Sequence, residues 1–153
     1  MLRFLSILLG DDRAFAEETQ GFRDDQVAAA ALMVEAARLD GSFTAEERGI
    51  IRTLLTQRFG LSTALADQLL ERAERTATES VAWQGFTQAI KEALSPEERV
   101  GVIEMLWEVA YADGELHDYE ASLLRRVAGL LYVDDKTSGE ARLRVMDRLG
   151  IAR

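Results

Sequence analysis

Six carboxylates stand in positions where a folded chain has a reason to hold something positive. Glu35 is the only polar residue in the run 27–37, VAAAALMVEAA, and Glu108 sits between Trp107 and Val109. A helix apolar on every side is buried, and a lone buried carboxylate must be protonated, paired or bound to a cation. Asp40 and Asp113 each follow such a run, near a helix C-terminus, where the macrodipole disfavours negative charge. Glu47 and Glu120 follow those aspartates at equal spacing. Carboxylate oxygens alone suit a hard ion, calcium, magnesium or manganese. The expected metal set is therefore Glu35, Asp40, Glu47, Glu108, Asp113 and Glu120. Glu115, His117 and Asp118 add potential ligands after the second Asp-Gly, so a single-loop site would be the second one. The spacing is not that of an EF-hand, whose loop of about twelve residues alternates its ligands.

A purely structural account of the same residues stands beside this one. Asp-Gly makes a good turn, with the aspartate bonding nearby amides. Glu47 is explained by a capping box with Thr44. Arg52 and Arg125 recur in frame with Glu35 and Glu108, which predicts a Glu–Arg pair across each helix hairpin.

The elements that must position these groups are helical throughout. Asp24 and Asp25 open a helix over residues 26–39, and Gly41 supplies the left-handed residue after its end. Thr44 and Glu47 cap a second helix, which Gly60 stops. Ser62 caps a third, to about Arg75, and a fourth runs from about Ser80 to Ala93. Ser95-Pro96-Glu97-Glu98 is a capping box with proline at the first helical position. The helix it opens ends at Asp113-Gly114. Further helices span about 117–132 and 138–149. Alternating strand patterns bounded by turn residues are missing. The expected fold is all-α, a compact domain of about six to eight helices.

Composition narrows the function classes. The 153 residues suffice for one domain with a real core, and 48% hydrophobic with 29% charged residues is globular. A net charge of −9 disfavours nucleic acid and favours divalent cations or basic partners. With no cysteine there is no disulfide framework, thiol nucleophile or Cys-bearing metal site, which fits a cytoplasmic chain. No phosphate-cradling glycine loop and no G-x-S-x-G elbow occurs. His117, the one histidine, reads as a cap or surface residue. Trp83, Phe86, Trp107, Tyr111, Tyr119 and Tyr132, at helical spacing, read as core, and Trp107 and Tyr111 should share a face. Glu71 to Arg75 reads as a solvated helix end. A paired-carboxylate glycosidase would need an open, sugar-stacking cleft, so no enzyme is expected.

Residues 1–24 read as a short apolar helix (MLRFLSILL) and a linker, with the domain proper over 25–153. The apolar run is too short to span a bilayer. Ala14-Phe15-Ala16 looks like a signal cleavage site, but Asp11-Asp12-Arg13 puts charge where such a region is neutral. The segment is expected to dock on the domain or to make weak contact with a membrane surface.

Laid against itself in the frame that puts Asp40 on Asp113, the sequence repeats. Glu35 falls on Glu108, Gly41 on Gly114, Glu47 on Glu120 and Arg52 on Arg125, with Phe43 on Leu116 and Ile50 on Leu123. The shared pattern, E-x-x-x-x-D-G-x-φ-x-x-x-E-x-x-x-x-R with φ apolar, predicts two pseudo-symmetric helix–loop–helix units. Ala37-Arg38-Leu39-Asp40-Gly41-Ser42-Phe43 with Glu47, and Ala110-Tyr111-Ala112-Asp113-Gly114-Glu115-Leu116 with Glu120, resemble the TerB (tellurite-resistance protein B) family, in particular its stand-alone bacterial members. The resemblance covers residues 25–150. It implies a compact all-α domain with a pseudo-twofold arrangement, and a link to tellurite resistance and metal or envelope stress. It also implies acidic residues suspected of holding a divalent cation, unidentified protein partners and no catalysed reaction. A related domain precedes the J-domain of membrane-anchored co-chaperones; no His-Pro-Asp tripeptide occurs here, so that role is not carried over.

Overall fold

The computed structural model describes residues 22–39, 41, 43–79, 83–112 and 116–152. The expected helix over residues 1–9 lies outside them, as do Asp40, Asp113, Gly114 and Glu115. The described residues form seven helices and no strand: α1 Asp24–Ala37, α2 Ala45–Phe59, α3 Thr63–Glu79, α4 Trp83–Ala93, α5 Pro96–Ala110, α6 Asp118–Leu130 and α7 Asp135–Leu149.

Helix α1 is the centre. Its run of alanines, Ala28 to Ala31, is at most 3% exposed, and Leu32, Met33 and Val34 are sealed as well. Small side chains let neighbouring helices approach closely. α2, α3, α4 and α5 all pack on α1, while α6 and α7 pack on α5 and on each other. Among the described residues the core starts at Phe22, 2% exposed, inside the stretch 1–24 expected to hold a short helix and a linker. Asp25, also buried, is held by Arg23 at 3.0 Å.

Helix starts follow local chemistry. Thr44 Oγ1 accepts from the Glu47 amide at 3.1 Å, and Glu47 Oε1 accepts from the Thr44 amide at 2.8 Å. Ser95 and Glu98 make the same reciprocal pair at 3.2 and 2.8 Å, and Ser62 accepts from the Leu65 amide. Each box satisfies amides that a helix start leaves open. Gly41, Gly60 and Gly150 take φ of 90°, 68° and 72°.

Several expected boundaries move: α1 ends at Ala37 instead of Leu39, and α5 at Ala110, short of Asp113. α3 runs past Arg75 to Glu79, because nothing between them stops a helix, so Glu71 to Arg75 is helix interior. α7 begins at Asp135 instead of Ser138, since Asp134 caps the Thr137 amide at 2.7 Å. α6 ends at Leu130, two residues short of expectation. Tyr132 there takes a left-handed φ of 61°, and Val133 donates back to the Ala128 carbonyl at 2.8 Å. The aromatic expectation also divides. Phe86, Trp107 and Tyr111 are core, with Trp107 and Tyr111 stacked at 6.2 Å. Tyr119 and Tyr132 are exposed, and Tyr132 lies under the Lys91 ammonium. The side chain of Trp83 is outside the described residues.

Candidate functional site

The two capping glutamates that follow the Asp-Gly positions converge. Thr44, Glu46 and Glu47, from the start of α2, line one cavity of about 160 Å³. Its other wall is Val109, Ala110 and Ala112, from the end of α5, with His117 and Glu120 from the start of α6. Each glutamate is oriented by its own helix. Glu47 is fixed by the reciprocal box with Thr44, and Glu120 Oε1 accepts from the His117 amide at 3.1 Å. His117 stacks on Tyr119 at 5.4 Å, which sets its ring plane.

The electrostatics of this cavity are mixed. The N-termini of α2 and α6 favour the carboxylates that stand there, while the C-terminal turn of α5 presents the negative end of its dipole and suits a cation. Among the described residues, no three His, Cys, Asp or Glu side chains form a group that could hold a metal ion. Glu46, beside the capping glutamate, is an acidic wall residue that the sequence patterns did not single out.

Glu35 and Glu108 have a different setting. Glu35 accepts from Arg38 Nη2 at 3.1 Å, and Glu108 from Arg148 Nη2 at 2.5 Å, with carboxylates 22% and 17% exposed. Pairing is therefore how each tolerates its apolar helix. The partners are not the ones the repeat frame predicts. Arg52 lies against α3 and binds Asp67 at 2.5 Å, and Arg125 is exposed on α6. A residue's place in a repeat fixes its helix and face, whereas its partner depends on which helix packs alongside.

A second carboxylate centre, unforeseen in the sequence, lies one turn before Glu108. Glu104 on α5 receives Arg58 from α2 at 2.9 Å, and Arg144 and Arg148 from α7 at 2.7 and 3.3 Å. Burial alone would raise the Glu104 carboxyl. The hydrogen bonds and charges of Arg58 and Arg144 outweigh it and hold the group below its ordinary value. The signal was present: Glu104 and Glu108 are one helical turn apart, as are Arg144 and Arg148.

This helical frame and cavity can be set against known families. The family model described as Tellurite resistance protein TerB matches residues 26–143. The chain belongs to the TerB family. The match runs from the first turn of α1 into α7, so the TerB domain contains both capping glutamates, the cavity between them and Glu104. No curated protein and no solved structure matches the chain. Among the described residues no helix is long and apolar enough to cross a membrane.

Proposed function

We propose that this TerB domain is a non-enzymatic stress-response module that takes a divalent cation, calcium, magnesium or manganese, between the starts of α2 and α6. The carrying observation is that Glu47 and Glu120, equivalent in the sequence repeat, line the same small cavity together with Glu46 and His117. Asp40 and Asp113, close in sequence to those walls, are the proposed completing ligands. Glu35 and Glu108, already neutralised by arginine, support the helices behind the site. The pseudo-symmetry of the two helix–loop–helix units is part of the same proposal.

Titration of metal-stripped protein by calorimetry and thermal melting tests it. At a cation concentration about a hundred times Kd, ligand linkage stabilises by about 2.7 kcal/mol. For a chain of this size that is a rise in Tm of roughly 5–10 °C. The double variant Glu47→Gln with Glu120→Gln should abolish the rise and melt near the unliganded parent, because glutamine keeps the acceptor that the box needs. Flat heats with all three ions would end the cation reading.

One observation favours a second reading, a protein-interaction scaffold that takes no metal. Both glutamates already accept from backbone amides. In that case metal has no effect on Tm, and the acidic positions serve only to shape the two loops.

A further inference from the structure

Arg142, on α7, is held against α5 by aromatic rings. Its Nε donates to the Tyr111 hydroxyl at 2.7 Å. Its guanidinium carbon stands 5.5 Å from the Trp107 ring centre and 5.9 Å from that of Tyr111. Both rings are buried and anchored in turn. Trp107 Nε1 donates to Ser138 Oγ at 3.4 Å, and the Tyr111 hydroxyl donates to Met146 Sδ at 3.6 Å.

Other arginines of this acidic chain are taken by carboxylates. Arg48 binds Glu74, Arg52 binds Asp67, and Arg58, Arg144 and Arg148 share Glu104. Among the described residues no carboxylate binds Arg142, and its Nη1 and Nη2 donate to no acceptor. Those two nitrogens reach solvent, since the buried side-chain donor left without a partner among the described residues is Arg72 Nε. Gly139 stands one turn earlier on the same face of α7, and a Cβ built there meets no atom within 4 Å. Space is therefore open beside the free edge of the guanidinium.

We propose that the Nη1–Nη2 edge of Arg142 binds an oxyanion, the carboxylate or phosphate group of a small ligand. The planar fork offers parallel N–H bonds that match the paired oxygens of either group. The rings shield one face of the cation from water, and the Tyr111 bond fixes its plane, so the fork gives up little freedom when an anion arrives. A strut between α5 and α7 would need only the Nε bond and the apolar stem. The proposal is independent of the cation reading, and its test uses metal-stripped protein.

The side-chain Nε–H resonances of the full chain are followed by NMR during titration with sodium phosphate and, separately, sodium acetate, at ionic strength held constant with sodium chloride. The Arg142 resonance, assigned by its loss in Arg142→Lys, should shift saturably, while that of Arg125, exposed on α6, should not. A response to phosphate alone, to acetate alone or to both supports the site and names the group it takes. Gly139→Glu puts a carboxylate one turn from the fork, in open space, and should suppress the response at least fivefold by occupying it. In Arg142→Lys, read at the Trp107 indole N–H, affinity should fall about tenfold, because the ammonium keeps the charge and loses the fork. Three results overturn the proposal: no saturable shift with either anion, an equal shift at Arg125, or affinity that is unchanged in both variants.

Discussion

Glu104→Gln removes one negative charge from the point where three helices are tied together. The carboxylate is 12% exposed and its three arginine partners are 32%, 50% and 43% exposed. Exposed ion pairs contribute about 0–1 kcal/mol each, and hydrogen bonds to charged groups about 1.5–3. Partners that are a third to a half in solvent belong near the lower range. Glutamine still accepts one or two of the hydrogen bonds. The expected loss is about 2 kcal/mol, or roughly 4–8 °C in Tm.

The pH dependence gives the sharper test. The folded Glu104 carboxyl lies below its ordinary value of 4.5, so the unfolded chain binds the proton first as pH falls. Its stabilisation is therefore fully present above about pH 4.5 and is lost as pH drops through the lower folded value. Circular-dichroism melts of parent and Glu104→Gln should differ most at pH 7 and converge as the pH falls below about 4.5. Curves within about 1 °C of each other at pH 7 would refute the reasoning, as would a gap that stays constant into acid.

Other substitutions probe the frame around the site. Ser95→Ala breaks the box that opens α5 and should cost about 1 kcal/mol in urea unfolding. Gly150→Ala forces a side chain onto a backbone at φ 72° and should lower stability by about 1 kcal/mol. Gly139→Ala, inside α7 with open space around the added carbon, should raise it by about 0.5–1 kcal/mol. The opposite signs of the two alanines, one inside α7 and one at its C-cap, measured by the same denaturant titration, check the argument internally.

Much of this architecture was legible because its signals are local. Thr44 with Glu47, Ser95 with Glu98, and the glycine at 60 act within one turn of themselves, and the structure uses each as expected; Gly41 is left-handed as expected, but the helix before it has already ended at Ala37. α6 shows where locality fails. It stops at a tyrosine in a conformation that favours glycine, because Leu131 and Val133 on either side are buried, and their burial outweighs the backbone cost at Tyr132. The arginine partners of Glu35 and Glu108 failed for a related reason. α2 lies beside α3, which hands Arg52 to Asp67, and α7, beyond the repeat, lies on α5 and supplies Arg148. No pattern within the two units encodes that order.

The capping boxes raise a question of competition that the proposed cation site must answer. Glu47 and Glu120 each commit Oε1 to a backbone amide at the start of their own helix. A carboxylate has two oxygens and about four acceptor directions, so capping does not exhaust it. It does fix the side-chain rotamers. A glutamate free in solution gives up about 1.5–2 kcal/mol of rotamer freedom when a ligand immobilises it. One already held by an N-cap gives up far less, so the box that starts the helix also preorganises the ligand. On the proposed reading this explains why the repeat keeps glutamate at the third helical position, where glutamine would cap as well. It also predicts an asymmetry. Thr44→Ala leaves the Glu47 charge and the residue-44 amide that holds its Oε1 in place, but removes the Oγ1 that caps the Glu47 amide and anchors the first turn of α2, so cation affinity should fall severalfold through the loosened helix start while the stoichiometry of binding is unchanged. Affinity that tracks only the number of carboxylates, with no response to Thr44→Ala, would mean that the ion sits away from the α2 box.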